Sequence, residues 1–435
     1  MRLELASFPV KSVRFGAHTS YEDGILNVDK AELLGLAMRD ERVVAADLDV
    51  ALPGERTRIA NTRDAVEPRV KTSGPGCVFP GILGPVETVG EGRTNRLDGV
   101  TVIHCSRYEP AVLTGSGAGN TGIVDMWEPG ALLTPLSSTV NIVLTTTLAA
   151  GISEIEAHTS IQLAECRIAQ RLAETTKGQS PENLEVFELS KVNPSLPRVV
   201  YIMGCLTEWH TIHSGVAYYG LPIRESLPTL VHPNELLDGA VTSDARRGNS
   251  IQVLTWRWMN QPVIMALLRE HGKRLNFIGV ILQRTRFESE FGKQVTAAST
   301  SQLARLWSAD AAVITRSCNS GNNLVDVMLT LQACERKGIS TVFLTPEMAD
   351  SDGTGPALHF YVPEATAMVS TGNLNVGPRL PAPDKVIGCA EGEMIVTKPG
   401  SKPISPWGEL SFETWVEIAE GVDWFGGAYA GCADY

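Results

Sequence analysis

The second half of the chain alternates short apolar runs with longer helical stretches, and this alternation restricts the fold more than any other feature of the sequence. The runs are apolar at consecutive positions, which is typical of strands that are buried on both faces. They read PRVVYIMG, LNFIGVIL, AAVIT, STVFLT and ATAMVST, and the helical stretches read QPVIMALLREHG, TSQLARLWSAD and LVDVMLTLQACERKG. Buried strands joined by helices form a parallel sheet that helices cover on both sides. We therefore predict a doubly wound parallel-sheet α/β domain over residues 198–435.

The first half has a different pattern. Short β-like runs are followed by two glycine-rich loops, from Lys71 and from Gly115, and then by an amphipathic helix from Ser153 to Thr176. Glycines at this density permit tight turns, the close approach of a neighbouring chain segment, or backbone N–H groups that line an anion. We predict a glycine-rich α+β N-terminal domain over residues 1–180 and a proline-containing linker over residues 181–197.

The composition excludes several classes of protein. A formal net charge of -12 argues against nucleic-acid binding, which depends on Lys and Arg that neutralise phosphates. The longest apolar stretches are too short to span a bilayer, and the N-terminus lacks the apolar core of a secretory signal. The eight cysteines include no CxxC pair, which is typical of reduced thiols in the cytoplasm. We predict a cytoplasmic protein without a nucleic-acid or membrane partner.

Loops with chemically useful side chains follow several of the predicted strands. They are Cys205 with EWHTIH, residues 244–249 (DARRGN), RSCNSGNN from Arg316, PEMADSDG from Pro346 and GNLN from Gly372. Ligands of doubly wound sheets bind beyond the carboxyl ends of the strands, so the loops predict a site at this edge. The C-terminal SFETWVEIAEG and the glycine-rich tail after it are predicted to be a helix and a tail that act as packing elements.

The RSCNSGNN loop precedes a predicted helix. The free N–H groups at a helix start favour a carboxylate or phosphate, which predicts that Asn322 and Asn323 bind substrate. A helix start also favours a thiolate, and this makes Cys318 a candidate catalytic nucleophile. Simple N-capping is the alternative interpretation.

The EWHTIH loop groups a carboxylate and two imidazoles. Glu208, His210 and His213 are the ligand types of a zinc, manganese or iron site. General acid–base catalysis by His210 or His213, tuned by Glu208 or Asp244, is an equal alternative. A structural turn next to a partner subunit is the third.

Several longer motifs resemble one known family. PNELLDGAV followed by NQPVI, together with FPG, GEG, LDG, TPEMA and STGN, is similar to the proprotein subunit of component B in glycine, sarcosine and betaine reductases. The D-proline reductase proprotein is a related family. The resemblance covers nearly the whole chain.

The resemblance implies a cofactor that we do not expect this chain to form. In the family, a Gly-Asn-Cys follows the DGA motif, and the chain is cut before that cysteine, which becomes a pyruvoyl group. An ungapped count from Asp238 places Arg246 at that cysteine and Ser250 at a second family cysteine. We therefore expect an unprocessed chain without a pyruvoyl group, and we assign it no definite cofactor.

The family also implies a partner and a reaction. Its component B contains a second subunit with a selenocysteine or cysteine, and the complex cleaves a C–N bond reductively. We predict that this chain is the substrate-binding subunit of such a heteromeric enzyme, with Arg246, Arg247 and Asn249 holding a small anionic, amino-acid-like substrate. A metal-dependent hydrolase that uses Glu208, His210 and His213, and a non-catalytic scaffold for a thiol-bearing partner, are the alternatives.

Overall fold

The chain is a mixed α/β protein whose strands form several sheets. The computed structural model describes residues 1–107, 121–207, 215–244, 248, 250–318, 321–398 and 401–427. Judged over these ranges, none of the helices combines the length and the apolar character that a membrane crossing needs.

The first half is mostly β-structure. Its strands are β1 (Arg2–Pro9), β2 (Ser12–Phe15), β3 (Ser20–Glu22), β4 (Ile25–Val28), β5 (Val43–Ala51), β6 (Thr57–Val66), β7 (Arg69–Ser73), β8 (Gly92–Asp98), β9 (Val100–Arg107), β10 (Gly122–Asp125), β11 (Val140–Leu148) and β12 (Asn183–Glu188). Its helices are α1 (Lys30–Ala37) and α2 (Glu154–Glu174).

Two sheets and one long helix build the core of the first half. The sheets have the strand orders β12-β1-β8-β7 and β10-β6-β9-β11-β5, and α2 packs against both of them. A capping box starts α2, because the Ser153 hydroxyl accepts from the Glu156 backbone N–H while the Glu156 carboxylate accepts from the Ser153 N–H. The predicted amphipathic helix is confirmed, and its buried face includes Ile161, Ala164, Ile168 and Leu172.

The second half contains shorter strands around one larger sheet. Its strands are β13 (Arg198–Leu206), β14 (Val216–Tyr218), β15 (Leu221–Pro222), β16 (Thr229–Val231), β17 (Val241–Ser243), β18 (Asn276–Thr285), β19 (Ala311–Arg316), β20 (Ser340–Glu347), β21 (Met368–Asn373), β22 (Arg379–Leu380), β23 (Lys385–Ile387) and β24 (Leu410–Ser411). Its helices are α3 (Pro233–Leu237), α4 (Thr255–Met259), α5 (Pro262–Glu270), α6 (Glu290–Leu306) and α7 (Gly321–Glu335).

The larger sheet has the order β16-β18-β13-β19-β20-β21. All neighbouring strands from β18 to β21 in this order are parallel, and β16 pairs with β18 in the antiparallel direction. The chain places β18 on one side of β13 and then returns to place β19 on the other side. This reversal is a topological switch point, the place at which ligands of doubly wound sheets generally bind.

Both faces of this sheet are buried, as the apolar runs predict. Along β13, Val200 and Ile202 face a core cluster that includes residues of α6 and α7, whereas Tyr201 and Met203 face a cluster that includes residues of α5. Consecutive residues of a strand point to opposite faces, so an apolar run without alternation is what a sheet covered twice requires.

Two segments cross the predicted division of the chain. β12 lies within the predicted linker and pairs with β1, and β23 pairs with β6 of the first half. The division into domains at residues 1–180 and 198–435 stays a prediction. The helix predicted for SFETWVEIAEG is wrong, because only Trp415–Glu417 forms a 3₁₀ turn there.

Candidate functional site

The carboxyl ends of the parallel strands form one edge of the sheet, which we call the carboxyl edge. At its centre lies the switch point between Thr207, after β13, and Ser317, after β19. The Ser317 hydroxyl accepts from the Leu206 backbone N–H at 3.0 Å, and the Ser317 N–H donates to the Gly204 carbonyl at 3.0 Å. Thr207 is held by the carbonyl of Thr285. These bonds fix the first residue of each loop at the switch point.

Asn323 belongs to the same edge but turns toward the sheet. Its amide nitrogen donates to the Thr285 hydroxyl, which donates to the Cys205 carbonyl at 2.9 Å. Asn323 is 1% exposed, and its amide oxygen has no hydrogen-bond partner among the described residues. The carbonyl of Asn322 accepts from Lys293. The substrate-binding role predicted for Asn322 and Asn323 stays a prediction, and the structure places Asn323 below the surface of the edge.

The two cysteines near the switch point are both buried. Cys205 points into the core, where its sulfur lies 3.5 Å from the Met203 carbonyl, and burial raises the pKa of this thiol to about 12. Such a thiol is protonated at neutral pH and is a poor metal ligand or nucleophile. Cys318 has no exposed surface either, but it lies within electrostatic reach of Arg316. Its predicted catalytic role is a proposal that this placement leaves open.

Arg316 is the last residue of β19, and the sequence alone assigned no role to its side chain. Its Nε donates to the Thr345 hydroxyl at 3.0 Å, and one terminal nitrogen donates to the Pro346 carbonyl at 3.4 Å. The side chain has no exposed surface, and its other terminal nitrogen has no hydrogen-bond partner among the described residues. Burial lowers the pKa of Arg316 to about 10, so the guanidinium stays charged. A lone arginine at a strand end gives no sequence signal of this isolation.

The C-terminal segment 415–427 lies across the carboxyl edge. The Trp424 ring covers the Arg316 guanidinium at 5.8 Å, and its indole N–H donates to the Ser250 carbonyl at 3.1 Å. The Thr371 hydroxyl, at the end of β21, donates to the Asp423 carbonyl. This segment therefore joins the ends of β19 and β21 to the loop before α4. Its buried side chains pack in the core of the second half, in agreement with the prediction of packing elements.

Ser250 has a structural role in this assembly. Its hydroxyl donates to the Ile418 carbonyl at 2.5 Å and accepts from the Val422 N–H at 3.2 Å. Two residues earlier, Gly248 has φ +75°, and a side chain there would overlap the Thr62 carbonyl of β6. Gly248 therefore lies against the first-half sheet, and Ser250 lies against the C-terminal segment. Arg246, Arg247 and Asn249, the predicted substrate anchors, lie outside the described residues.

The predicted metal ligands Glu208, His210 and His213 also lie outside the described residues. Within the part of the chain that the structure describes, no group of three or more His, Cys, Asp or Glu side chains is placed to hold a metal ion. The metal site and the acid–base roles of His210 and His213 stay predictions.

The PNELLDGAV motif packs against the loop from Lys71, and this contact explains why that loop contains glycine. Asp238 is fully buried and accepts from the Lys71 ammonium, from the Gly90 N–H at 2.7 Å and from the Thr94 hydroxyl at 2.5 Å. A side chain on Gly90 would meet Asn234 at 3.0 Å. Of the three possibilities for these glycines, the close approach of another chain segment applies here. The motif locks the two halves together and carries no exposed reactive group at Asp238.

His232 lies at the opposite end of the sheet from Cys205. It precedes α3 and follows β16, which runs antiparallel to β18 and ends beside its amino-terminal half. There it lines a cleft of about 450 Å³ together with Arg198 and His271. His232 therefore lies away from the side chains at the carboxyl edge.

His232 gives the fold a predicted sensitivity to acid. Its Nδ1 accepts from the Asn234 N–H at 3.2 Å, and burial lowers the pKa of the ring from 6.5 to about 4. The His232 ring therefore binds a proton at a higher pH in the unfolded chain than in the folded chain. As a result, the stability of the folded state falls as the pH drops from 6.5 toward 4. Because the ring is partly exposed, His232→Asn should remove about 1–2 kcal/mol of that loss while keeping the helix cap. Urea unfolding at pH 7 and pH 4.5 measures the difference.

The exposed His359 provides the control for this experiment. His359→Asn is expected to unfold with the pH dependence of the unmodified protein, since no described group depends on its ring as a cap. Identical pH profiles for His232→Asn and the unmodified chain would contradict the assignment.

Comparison with known proteins shows which family the chain is similar to. The family model described as glycine/sarcosine/betaine reductase component B subunits matches residues 1–406. The chain is 34% identical over 406 residues to the glycine reductase complex component B subunits alpha and beta of Acetoanaerobium sticklandii, which covers 91% of this chain and 90% of that protein.

Two further relatives come from Peptoclostridium acidaminophilum. The chain is 34% identical to the sarcosine reductase complex component B subunit alpha, over 89% of each protein. It is 32% identical to the betaine reductase complex component B subunit alpha, over 89% of this chain and 88% of that protein. No solved structure matches the chain. The chain therefore belongs to the glycine/sarcosine/betaine reductase component B family.

Proposed function

We propose that this chain is the substrate-binding subunit of a heteromeric reductase that acts on the C–N bond of a small anionic, amino-acid-like compound. The relatives are named as subunits of complexes that reduce glycine, sarcosine and betaine, and each of these compounds carries one carboxylate beside a carbon–nitrogen bond. Identity is spread over about nine-tenths of both chains, which supports a common role within the complex.

The observation that carries the proposal is the switch point at the carboxyl edge. The carboxyl ends of β13, β19, β20 and β21 lie side by side along this edge, and Ser250 is bound there by the indole N–H of Trp424. Ligands of doubly wound sheets bind at such a point. Arg246 and Arg247 follow Asp244 in the same segment, so they remain our proposed anchors for the substrate anion.

The absence of a pyruvoyl group is part of the proposal. An ungapped count from Asp238 places Arg246 at the family's processed cysteine, and arginine has no hydroxyl or thiol that could start the cleavage. Ser250 has a hydroxyl, but that hydroxyl is already engaged by the Ile418 carbonyl and the Val422 N–H. Both facts support an intact chain.

A partner subunit supplies the reacting thiol or selenol in this proposal. Cys205 is a core thiol whose pKa burial raises to about 12, and Cys318 has no exposed surface. A second subunit that presents a cysteine or selenocysteine is therefore the more suitable source of a nucleophile for the substrate carbon.

The test starts with the native protein and its co-purifying chains. We expect one intact mass near 46.9 kDa, a second thiol- or selenol-bearing polypeptide, and amine release from a glycine-type substrate only when both chains and a dithiol reductant are present. Two fragments cut between residues 246 and 250 would overturn the unprocessed state. Turnover by the isolated chain with a bound metal would favour the hydrolase alternative instead.

A matched pair of variants tests the proposed anchor. Arg246→Ala is expected to raise KM for the anionic substrate at least about tenfold, because it removes a charged hydrogen bond to the substrate. Arg274→Ala is the control, since the Arg274 side chain is 83% exposed and pairs with Glu270 of α5 on the protein surface. Equal KM values for the two variants would remove Arg246 from the site.

A further inference from the structure

Arg316 is a buried cation without a buried anion. Its guanidinium has no exposed surface, and no carboxylate among the described residues pairs with it. The other fully buried arginines have such partners: Arg58 pairs with Asp125 and Arg69 pairs with Glu67. Proteins rarely bury a charge without a counter-charge, because removing an ion from water is costly unless an opposite charge compensates.

The carboxylates on the segments around Arg316 have other partners. Asp423, next to Trp424, accepts from the backbone N–H groups of Phe425 and Gly427. Glu347, at the end of β20, accepts from the Ser370 hydroxyl. Among the residues that the structure describes, neither of these carboxylates forms an ion pair with Arg316.

The contacts of Arg316 fix the direction in which it can bind. The Thr345 hydroxyl and the Pro346 carbonyl hold Nε and one terminal nitrogen, so the plane of the group is set. Trp424 covers one face of that plane. The remaining terminal nitrogen has two N–H donors that find no acceptor among the described residues, and it lies on the side of Cys318 and the switch point.

We infer that Arg316 binds the carboxylate of a small ligand at the ends of β19 and β20. The inference rests on the proposed function and identifies this carboxylate as that of the substrate. A carboxylate matches the planar donors of a guanidinium, whereas an ammonium ion or a neutral amide does not. This site is built from buried residues of the sheet itself, whereas Arg246 and Arg247 lie outside the described residues.

Equilibrium binding to the purified full-length chain tests the inference without a partner subunit or turnover. Glycine and acetate are the carboxylate probes, and glycinamide and acetamide are the matched controls that lack a carboxylate, each titrated by calorimetry. We expect the carboxylates to bind the unmodified chain at least about 30-fold more tightly than Arg316→Met. The amides should not distinguish the two chains. Equal carboxylate affinity in Arg316→Met would overturn the inference.

Thermal unfolding separates a binding role from a structural one. Without ligand, Arg316→Met should melt no lower than the unmodified chain, because methionine removes an uncompensated charge from a buried position. Added glycine should raise the melting temperature of the unmodified chain and leave that of Arg316→Met unchanged. A variant that fails to fold, or that melts much lower, would show that Arg316 is structural and would overturn the inference.

Arg316→Lys provides the second variant. It keeps the charge but loses the fork that Thr345 and Pro346 orient, so we expect intermediate affinity for glycine. Full affinity would contradict the geometric argument. The two proposals can fail separately. If carboxylate binding depends on Arg316 but the protein has no reductase partner and no turnover, this inference holds and only the proposed function fails.

Discussion

Asp238→Ala is expected to lower the free energy of unfolding by about 3–5 kcal/mol, because it leaves a buried ammonium without its counter-charge. Lys71 is 5% exposed and donates to the Asp238 carboxylate. The same carboxylate accepts from the Gly90 N–H and the Thr94 hydroxyl, and both donors would lose their acceptor. Urea unfolding followed by circular dichroism measures the change.

The exposed Asp384 is the control for Asp238. Asp384 pairs with Arg56 at 3.1 Å and its side chain is 73% exposed, so Asp384→Ala should change stability by less than about 1 kcal/mol. A double variant that combines Asp238→Ala with Lys71→Met should recover part of the loss, since it removes both charges. If Asp238→Ala behaves like Asp384→Ala, the motif does not lock the two halves as described.

Arg58→Met is expected to destabilise the protein by a similar amount, about 3–5 kcal/mol, for the opposite reason: it leaves a carboxylate unpaired. Arg58 has no exposed surface and holds both oxygens of Asp125, at 2.6 Å and 2.9 Å. Its remaining N–H groups donate to the carbonyls of Pro381, Pro406 and Gly408. The variant therefore also releases the returning C-terminal chain from β6.

Arg56 is a close control because both arginines lie over the Trp127 ring, at 5.6 Å and 5.7 Å. Arg56 is half exposed, so Arg56→Met should lose less than about 1 kcal/mol. Burial already raises the pKa of Asp125, and Arg58 opposes that shift. Without Arg58 the pKa rises further, so the folded state holds the proton more tightly than the unfolded state does, and the variant should lose stability as the pH rises. Unfolding at pH 5 and pH 8 tests this sign.

The sequence was sufficient for the features that depend on short-range pattern. Consecutive apolar residues in β13, β18 and β19 predicted a sheet buried on both faces, because side chains alternate along a strand. Parallel pairing then brings the carboxyl ends together, which is why the loops from Thr207 and Ser317 meet at one switch point. The motif PNELLDGAV and its companions identified the family without any coordinates.

Tertiary structure alone decided which polar groups are compensated. Asp238 and Arg58 are neutralised by residues 167 and 67 positions away along the chain, whereas Arg316 is buried without an acidic partner in the part of the chain that the structure describes. The sequence predicted neither outcome, because charge pairing depends on which segments become neighbours after folding. The C-terminal segment was misread as a helix for the same reason. Its course over the carboxyl edge is set by contacts of Trp424 and Asp423 with distant strands, and no local propensity encodes those contacts.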